Sequence, residues 1–214
     1  MNTYKINRVS FPWITFWICI AGLLASTLHL DRLLEFQPSH PFTEPYRIIA
    51  CHLAHWSWSH VGWSLGSFAA LGALCELRDR RTFALCTALS ATVIPLLLVV
   101  IEPRVKSYRG MSGIDSAFFA LLAFQLVVTR LRSQPGIAIA AATLIIAFGL
   151  KVFYEQFFHV AVFADSAGAG FVPVPGAHLA GAAVGAIIAC RGCFLNTSTF
   201  FKFNWSKVRP KFCE

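Results

Sequence analysis

Residues 82–101 read TFALCTALSATVIPLLLVVI, a stretch of 20 residues without a charged side chain. A helix needs about 20 apolar residues to cross the hydrocarbon core of a bilayer, which is roughly 30 Å thick. Stretches that approach or meet this length recur along the 214-residue chain, in which 57% of the residues are hydrophobic and 13% are charged. An aqueous surface cannot accommodate that balance in a single domain of this size. The sequence therefore predicts an all-α integral membrane protein.

Six segments have the length and composition expected of membrane-spanning helices. No domain boundary or long internal repeat interrupts them, so we expect one domain over residues 11–190, between a short N-terminus at 1–10 and a basic tail at 191–214. The first segment resembles a secretory signal, but no small-residue cleavage site precedes Asp31, and we interpret it as a retained anchor. The predicted spans are 11–30, 57–77, 82–101, 111–129, 137–154 and 176–190.

The formal net charge of +8 is explained by orientation in the membrane. When the loops are assigned alternately to the two sides, most of the basic residues fall on one side, which the positive-inside rule identifies as cytoplasmic. We therefore expect both termini in the cytoplasm and no nucleic-acid partner. The basic residues assigned to the cytoplasmic side are Lys5, Arg8, Arg78, Arg80, Arg81, Arg130, Arg132, Arg191, Lys202, Lys207, Arg209 and Lys211.

Small residues recur every four positions in the fourth and sixth predicted spans, a pattern typical of helices that pack closely in membranes. The pattern begins at Ser112 in the fourth span and includes Gly181 and Gly185 in the sixth. We expect these glycines, together with Gly113, to lie in a contact between the two helices. Ser112 and His178, each near the outer end of its helix, would then lie at comparable depth.

Ser112 and His178 have the chemistry of a nucleophile and its base. Polar residues at membrane depth are costly and mark functional sites. Gly110 and Gly113 flank the hydroxyl and leave room for a tetrahedral intermediate. A neutral imidazole accepts the hydroxyl proton and returns it to the leaving amine. The backbone amide of Ser112 and a side chain from another helix, for which His60 is available, would stabilise the oxyanion.

Several motifs resemble those of the rhomboid family of intramembrane serine proteases. An acidic, aromatic and arginine loop motif precedes a helix with His55, His60 and Ser64, where the family has two histidines and an asparagine. The order, spacing and topology of the motifs agree with the family pattern. The matching segments are EPYR at 44–47, GALCE at 72–76, GMSG at 110–113 and AHLAG at 177–181.

The resemblance implies a six-helix bundle that hydrolyses peptide bonds within or beside the bilayer, without a cofactor or metal. It implies that Ser112 is the nucleophile and His178 the general base, while His60, Ser64 and Gly110 help to hold the oxyanion. The substrates would be membrane-anchored proteins. Ser64 departs from the family pattern, and its hydroxyl reaches less far than an asparagine amide.

A narrower resemblance links the chain to the rhombosortase branch, which consists of compact six-helix rhomboids of bacteria. It is carried by His52, by YRG at 108–110 and by residues 177–185. This branch implies a bacterial inner membrane, an active site on the periplasmic side and substrates with carboxy-terminal Gly-Gly sorting tails.

Other polar residues have simpler interpretations. Asp115 lies one helical turn after Ser112, where a carboxylate would compete for the serine hydroxyl, so we expect it to pack or to form a hydrogen bond inside the bundle. Lys151 lies near the outer end of the fifth span and can snorkel to the interface without a special role. Cys190 and Cys193 have the spacing of a metal or redox pair, but no second pair accompanies them.

Two alternative functions stay open. The chain could be an inactive rhomboid that binds membrane clients, for which the Ser64 departure is the only supporting feature. It could also be a membrane metal or haem protein that uses His52, His55 and His60, although no carboxylate or cysteine accompanies these histidines. The oligomeric state does not follow from the sequence.

Overall fold

The computed structural model describes the backbone of residues 11–195 and the side chains of residues 11–191. This part of the chain is helical and contains no β-strand. The predicted N-terminus at 1–10 and residues 196–214 of the predicted tail lie outside the described residues. Helices of 15 residues or more are α1 (Trp13–Thr27), α2 (Trp58–Arg78), α3 (Arg80–Ile101), α4 (Ser112–Arg130), α5 (Pro135–Phe158) and α6 (Pro175–Leu195).

Short helical segments lie in the connections at the end of the bundle that carries Ser112. The connection between α1 and α2 holds Asp31–Leu34, Arg47–Ala50 and a 3-10 turn at Cys51–Leu53. Ser166–Ala169 lies between α5 and α6. These segments of three or four residues connect the long helices and are too short to form a further layer of the bundle.

Three helices among the described residues, α3, α4 and α5, are long and apolar enough to cross a membrane. Their most apolar windows differ in burial, since 56% of the window in α4 is buried but only 17% of that in α5. The central position of α4 explains why it tolerates Asp115 and Gln125, both of which are buried. The chain is an integral membrane protein in which α4 packs inside the bundle and α5 lies at its periphery.

The helices α4 and α6 approach closely because glycine removes side-chain atoms from their contact. A Cβ added at Gly181 would overlap the carbonyl oxygen of Gly113, and one added at Gly185 would overlap that of Ala117. Gly113 lies in the same contact, with the place of its missing Cβ 3.1 Å from the carbonyl oxygen of Ala177. Backbone-to-backbone packing of this kind holds helices together where lipid offers no hydrophobic driving force. It fixes the start of α4 against the start of α6.

The first helix is tied to the bundle at its N-terminus by Glu76 of α2. The free N–H groups of a helix N-terminus need acceptors, and an anion there is stabilised by the helix dipole. Glu76 accepts hydrogen bonds from the backbone N–H groups of Ile14 (3.2 Å) and Thr15 (2.8 Å). The Thr15 hydroxyl donates to the same carboxylate at 2.9 Å. The GALCE segment therefore joins α1 to α2.

Two predicted spans end earlier than the observed helices, by four residues at α5 and by five at α6. The fifth span was expected to end at residue 154, but the helix continues to Phe158, with His159 in a left-handed conformation after it. Glu155 is therefore a helical residue and does not belong to the following loop. Glu155 forms an ion pair with Lys151, one turn earlier, at an Nζ to Oε2 distance of 2.8 Å. The two opposite charges are thus paired between residues of the same helix.

Candidate active site

Ser112 and His178 meet where α4 and α6 begin. Ser112 is the first residue of α4, and His178 lies in the first turn of α6. The glycine contact between these helices brings Nε2 of His178 to 3.1 Å from Oγ of Ser112. His178 is only 6% exposed, so the imidazole is held within the protein. The two side chains are in hydrogen-bonding contact.

The pair opens into a cavity of about 270 Å³. Polar groups converge on one part of its wall. Aromatic side chains and the segment 171–174, which precedes α6, form the rest. A cavity of this kind is the usual form of a ligand site. Its aromatic walls are Trp56, Trp63, Tyr108, Phe163 and Phe171.

The backbone before Ser112 takes a conformation that only glycine adopts readily. Gly110 has φ +113°, and a Cβ at this position would lie 2.9 Å from Cε1 and Nε2 of His60. The Gly110 N–H donates to the carbonyl oxygen of Cys51 at 3.0 Å. Gly110 is therefore needed for the turn into α4 and for the close approach of the His60 ring.

The loop that carries Gly110 is held by the segment after α1. Phe36 and Tyr108 exchange backbone hydrogen bonds of 3.1 and 2.8 Å in an isolated β-bridge. Glu35 accepts hydrogen bonds from Ser107 at 2.7 Å and from Nη2 of Arg109 at 2.6 Å. The guanidinium of Arg109 also lies 4.1 Å from the centre of the Trp56 ring. These contacts fix the position of the loop before the nucleophile.

The contacts of Glu35 with Ser107 and Arg109 favour the charged form of this carboxylate. Partial burial acts to raise its pKa, but the hydrogen bonds from Ser107 and Arg109 and the charge of Arg109 outweigh this effect. The pKa of Glu35 is therefore below its ordinary value. An ionised Glu35 is the acceptor that the two donors of the loop require.

His60 presents a hydrogen-bond donor beside Gly110. Its Nδ1 accepts the backbone N–H of Trp56 at 3.3 Å, which leaves the proton of the neutral ring on Nε2. The ring stacks on Phe171, with their centroids 5.2 Å apart. Its Nε2 is the atom that a Cβ on Gly110 would meet at 2.9 Å. The arrangement places an N–H donor next to the loop that ends at Ser112.

Ser64 holds the same loop from α2. Its hydroxyl oxygen accepts the backbone N–H of Met111 at 3.2 Å, and the side chain is buried. The residue at the family's asparagine position therefore contacts the backbone immediately before the nucleophile. Donation by the Ser64 hydroxyl to an oxyanion stays a prediction.

Asp115 joins α4 to α2. Ser67 donates its hydroxyl to Oδ2 of Asp115 at 2.6 Å, while Oδ1 is buried and has no hydrogen-bond partner. The carboxylate lines the cavity one turn after Ser112. The expected hydrogen bond inside the bundle is present, and its partner is a serine of the neighbouring helix.

Lys151 and Glu155 contact His178 on the side opposite Ser112, and neither was among the predicted site residues. Oε2 of Glu155 lies 3.0 Å from Nδ1 of His178 and 2.8 Å from Nζ of Lys151. Nζ of Lys151 also lies 3.1 Å from Nδ1. The prediction that Lys151 snorkels to the interface is therefore wrong, because its ammonium contacts Glu155 and His178 inside the protein.

A signal for this pair was present in the sequence. Lys151 and Glu155 are four residues apart in an otherwise apolar segment, so a helix places them on one face. They lie near the same end of the bundle as Ser112 and His178. Glu155 lies one residue beyond the predicted end of the fifth span at residue 154, but within the helix observed.

His52 and His55 lie in the segment before α2, and they do not share a ligand site. Both ring nitrogens of His52 lie 3.1 Å from backbone carbonyl oxygens, those of Gly110 and Ala91. The Ala91 carbonyl is free for this contact because Pro95, four residues later, has no N–H. Burial lowers the pKa of His55 to about 4. Within the described residues, no three histidine, cysteine, aspartate or glutamate side chains form a group that would hold a metal.

The predicted cysteine pair, Cys190 and Cys193, is only partly covered by the described residues. Cys190 is an exposed free cysteine, and the Cys193 side chain lies outside the described residues. The structure therefore does not test the metal or redox interpretation of this pair.

Comparison with known proteins assigns a family to most of the chain. Residues 43–195 match the family pattern described as Rhomboid domain. The match includes α2 to α6 and the site residues from His60 to His178, whereas Glu35 and Phe36 lie before it. A search of curated proteins finds no match.

Proposed function

We propose that this chain, which belongs to the rhomboid family, is an intramembrane serine protease. In this proposal Ser112 is the nucleophile and His178 is the general base. The family is one of proteases that act on membrane proteins within the bilayer. The observation that carries the proposal is the 3.1 Å contact between Nε2 of His178 and Oγ of Ser112 at the wall of a cavity. This is the contact that a base and its nucleophile need.

The reaction follows from this contact. Ser112 Oγ attacks the carbonyl carbon of the scissile bond while Nε2 of His178 accepts the hydroxyl proton. The imidazolium then donates this proton to the leaving amine, and the bond between carbon and nitrogen breaks. Water attacks the resulting ester with the same histidine as base, which releases the acid product and restores the serine. Each proton that His178 accepts is returned in the same half-reaction.

The oxyanion would be stabilised at the start of α4. The backbone N–H of Ser112 and Nε2–H of His60 are the proposed donors, with the Ser64 hydroxyl as a third. The contact of His60 with Gly110 supports its part, since the donor lies beside the loop that positions the nucleophile. Because Ser64 also accepts the Met111 N–H, it has a positioning part even where it does not reach the oxyanion.

The proposed substrate is a protein anchored by an apolar helix with a weakly helical segment beside it. A substrate helix in lipid satisfies its own backbone hydrogen bonds, so it must unwind before its carbonyl reaches Ser112. Glycine costs about 1 kcal/mol per residue in a helix, so a Gly-Gly pair before the anchor favours unwinding. We propose carboxy-terminal Gly-Gly sorting tails as the substrate class, in line with the rhombosortase resemblance.

Orientation and location follow the charge distribution. We propose that the site faces the periplasm of a bacterial inner membrane, because the loops assigned to the opposite side carry most of the basic residues. Substrates that are exported and anchored by a carboxy-terminal helix would present their cleavage segment on that side.

Cleavage of an anchored reporter tests the proposal. The purified protein is reconstituted in liposomes with a single-helix substrate that carries Gly-Gly before its apolar segment, and product formation is measured over time. We expect cleavage by the wild type and none above background for Ser112→Ala or His178→Ala, since losing a nucleophile or base costs about 10⁶ in kcat in a serine protease. Ser116→Ala is the matched control, because Ser116 lies one turn later and donates to the helix backbone.

The same assay separates the alternatives. Cleavage that survives in Ser112→Ala contradicts the assignment of the nucleophile. Binding of the substrate without cleavage by the wild type would instead indicate an inactive client-binding rhomboid. We expect a chelator to leave the cleavage rate unchanged. Loss of cleavage in the presence of a chelator would indicate a metal-dependent mechanism.

A further inference from the structure

We infer that Glu155, held by Lys151, is a positioning residue that sets the tautomer of His178 and so completes a Ser112, His178 and Glu155 triad. The inference rests on the proposed function of Ser112 and His178. It adds a third group from α5, a helix that contributes neither the nucleophile nor the base. It also gives the Lys151 and Glu155 pair a part in the reaction.

The Glu155 carboxylate is buried and all of its contacts are specific. The residue is 2% exposed although it lies in α5, whose apolar window is the least buried of the three described helices that could span a membrane. Oε2 lies 3.0 Å from Nδ1 of His178, and Oε1 accepts the backbone N–H of Val162 at 3.1 Å. A buried carboxylate is costly unless it is paired and hydrogen-bonded. These contacts explain how the charge is held there.

The contact with Nδ1 decides which nitrogen of His178 can act as a base. A neutral imidazole carries one proton, and the hydrogen bond of one nitrogen determines the state of the other. If Nδ1–H donates to Glu155, Nε2 has a free lone pair directed at the Ser112 hydroxyl. During the reaction the imidazolium that forms is stabilised by the adjacent carboxylate, which itself stays deprotonated.

Lys151 makes the position of Glu155 decisive. Its Nζ lies 3.1 Å from Nδ1, so an ammonium without Glu155 could donate to that nitrogen. The proton of the ring would then lie on Nε2, which would donate to Ser112 and could not accept its proton. Glu155 prevents this arrangement by accepting from both Lys151 and His178. The anion and the cation therefore favour opposite tautomers of the same ring.

Variants of the pair test this opposition. In the liposome assay we expect Glu155→Gln to lower kcat by about 10²–10⁴ with KM changed less than about threefold, because loss of the carboxylate of a triad leaves binding intact. We expect the double variant Glu155→Gln with Lys151→Met to be faster than Glu155→Gln alone, since the competing donor is removed. If both changes only loosened the fold, their losses of rate would add, and the double variant would be slower than Glu155→Gln alone.

Ser166→Ala is the matched control for the loop that Glu155 also holds. Ser166 Oγ accepts the N–H of Ala161, next to Val162, so its loss loosens the same loop without removing the carboxylate. We expect a rate within about threefold of the wild type. An equal loss of kcat in Ser166→Ala and Glu155→Gln would overturn the inference in favour of loop anchoring.

The tautomer can also be read directly in the unmutated protein. With histidine labelled by ¹⁵N, the two ring nitrogens of His178, assigned by comparison with His178→Ala, report which of them carries the proton. We expect a protonated Nδ1 and an unprotonated Nε2. This measurement does not require the Glu155 variant to fold, and a proton on Nε2 with a bare Nδ1 would overturn the inference.

The controls distinguish this inference from the function on which it rests. If Ser112→Ala is inactive while Glu155→Gln retains the wild-type kcat, the protease assignment stands and the triad is wrong. If Ser112→Ala is active, the proposed function itself fails.

Discussion

At the scale of single residues, Gly110 has the most restrictive position in the site. Its φ of +113° and its contact with the His60 ring both exclude a side chain. A Cβ would have to displace the imidazole or the loop, and either movement disturbs the turn that presents Ser112. The residue therefore links the backbone conformation to the proposed oxyanion donor.

We predict that Gly110→Ala lowers kcat by about 10²–10³, the loss observed when an oxyanion donor is removed. Cleavage of the anchored substrate in liposomes is the measurement. Gly149→Ala is the matched control, because Gly149 in α5 has no atom within 4 Å of the added Cβ. Equal rates for Gly110→Ala and the wild type would contradict the account of this turn.

The contact between Ser112 and His178 was predictable, whereas their catalytic roles stay a proposal. The serine between glycines at 110–113 and the histidine at 178 could be chosen from sequence because polar groups are costly in membranes. Glu155 could not be assigned once its helix was ended too early. The contact between Glu155 and Nδ1 of His178 depends on the distance between α5 and α6. Sequence spacing does not give that distance.

At the scale of helices, the contact between α4 and α6 positions the site. The carbonyl oxygens of Gly113 and Ala117 occupy the space that side chains at Gly181 and Gly185 would need. The four-residue recurrence of small residues predicted a close contact, because it places them on one face of each helix. The helix ends were less predictable, since apolar composition does not show where polar residues extend a helix.

We predict that Gly185→Leu destabilises the protein by about 1–3 kcal/mol or more, because the added side chain forces two packed backbones apart. The midpoint of thermal unfolding in detergent is the measurement. Gly149→Leu adds the same atoms to an open position of α5 and should change the midpoint little. A Gly185→Leu protein as stable as the Gly149→Leu protein would show that the contact between α4 and α6 is not tight.

At the scale of the whole molecule, family and membrane insertion are better established than orientation. The predicted rhomboid resemblance is confirmed by the match over residues 43–195, whereas the rhombosortase branch stays a prediction. Three of the described helices meet the length and composition of a membrane span, so the full count of six spans also stays a prediction. The polar and small residues of α2 and α6, which build the site, make these helices less apolar than a simple anchor.

Reporter fusions test the predicted orientation. A fusion after Lys106, between α3 and α4, should have alkaline phosphatase activity because that loop is predicted to be periplasmic. A fusion after Ser133, between α4 and α5, should instead support fluorescence of a green fluorescent protein in the cytoplasm. The basic residues near this second loop, Arg130 and Arg132, are the physical reason for the expectation. The reverse pattern would place the site on the cytoplasmic side.

The central claim is that His178 makes the Ser112 hydroxyl nucleophilic. The most direct measurement is to react the protein with a fluorophosphonate, digest it and locate the adduct by mass spectrometry. We predict a single adduct on Ser112 in the wild type and in Ser116→Ala, and none in His178→Ala. An adduct on another residue, or undiminished labelling of Ser112 in His178→Ala, would contradict it.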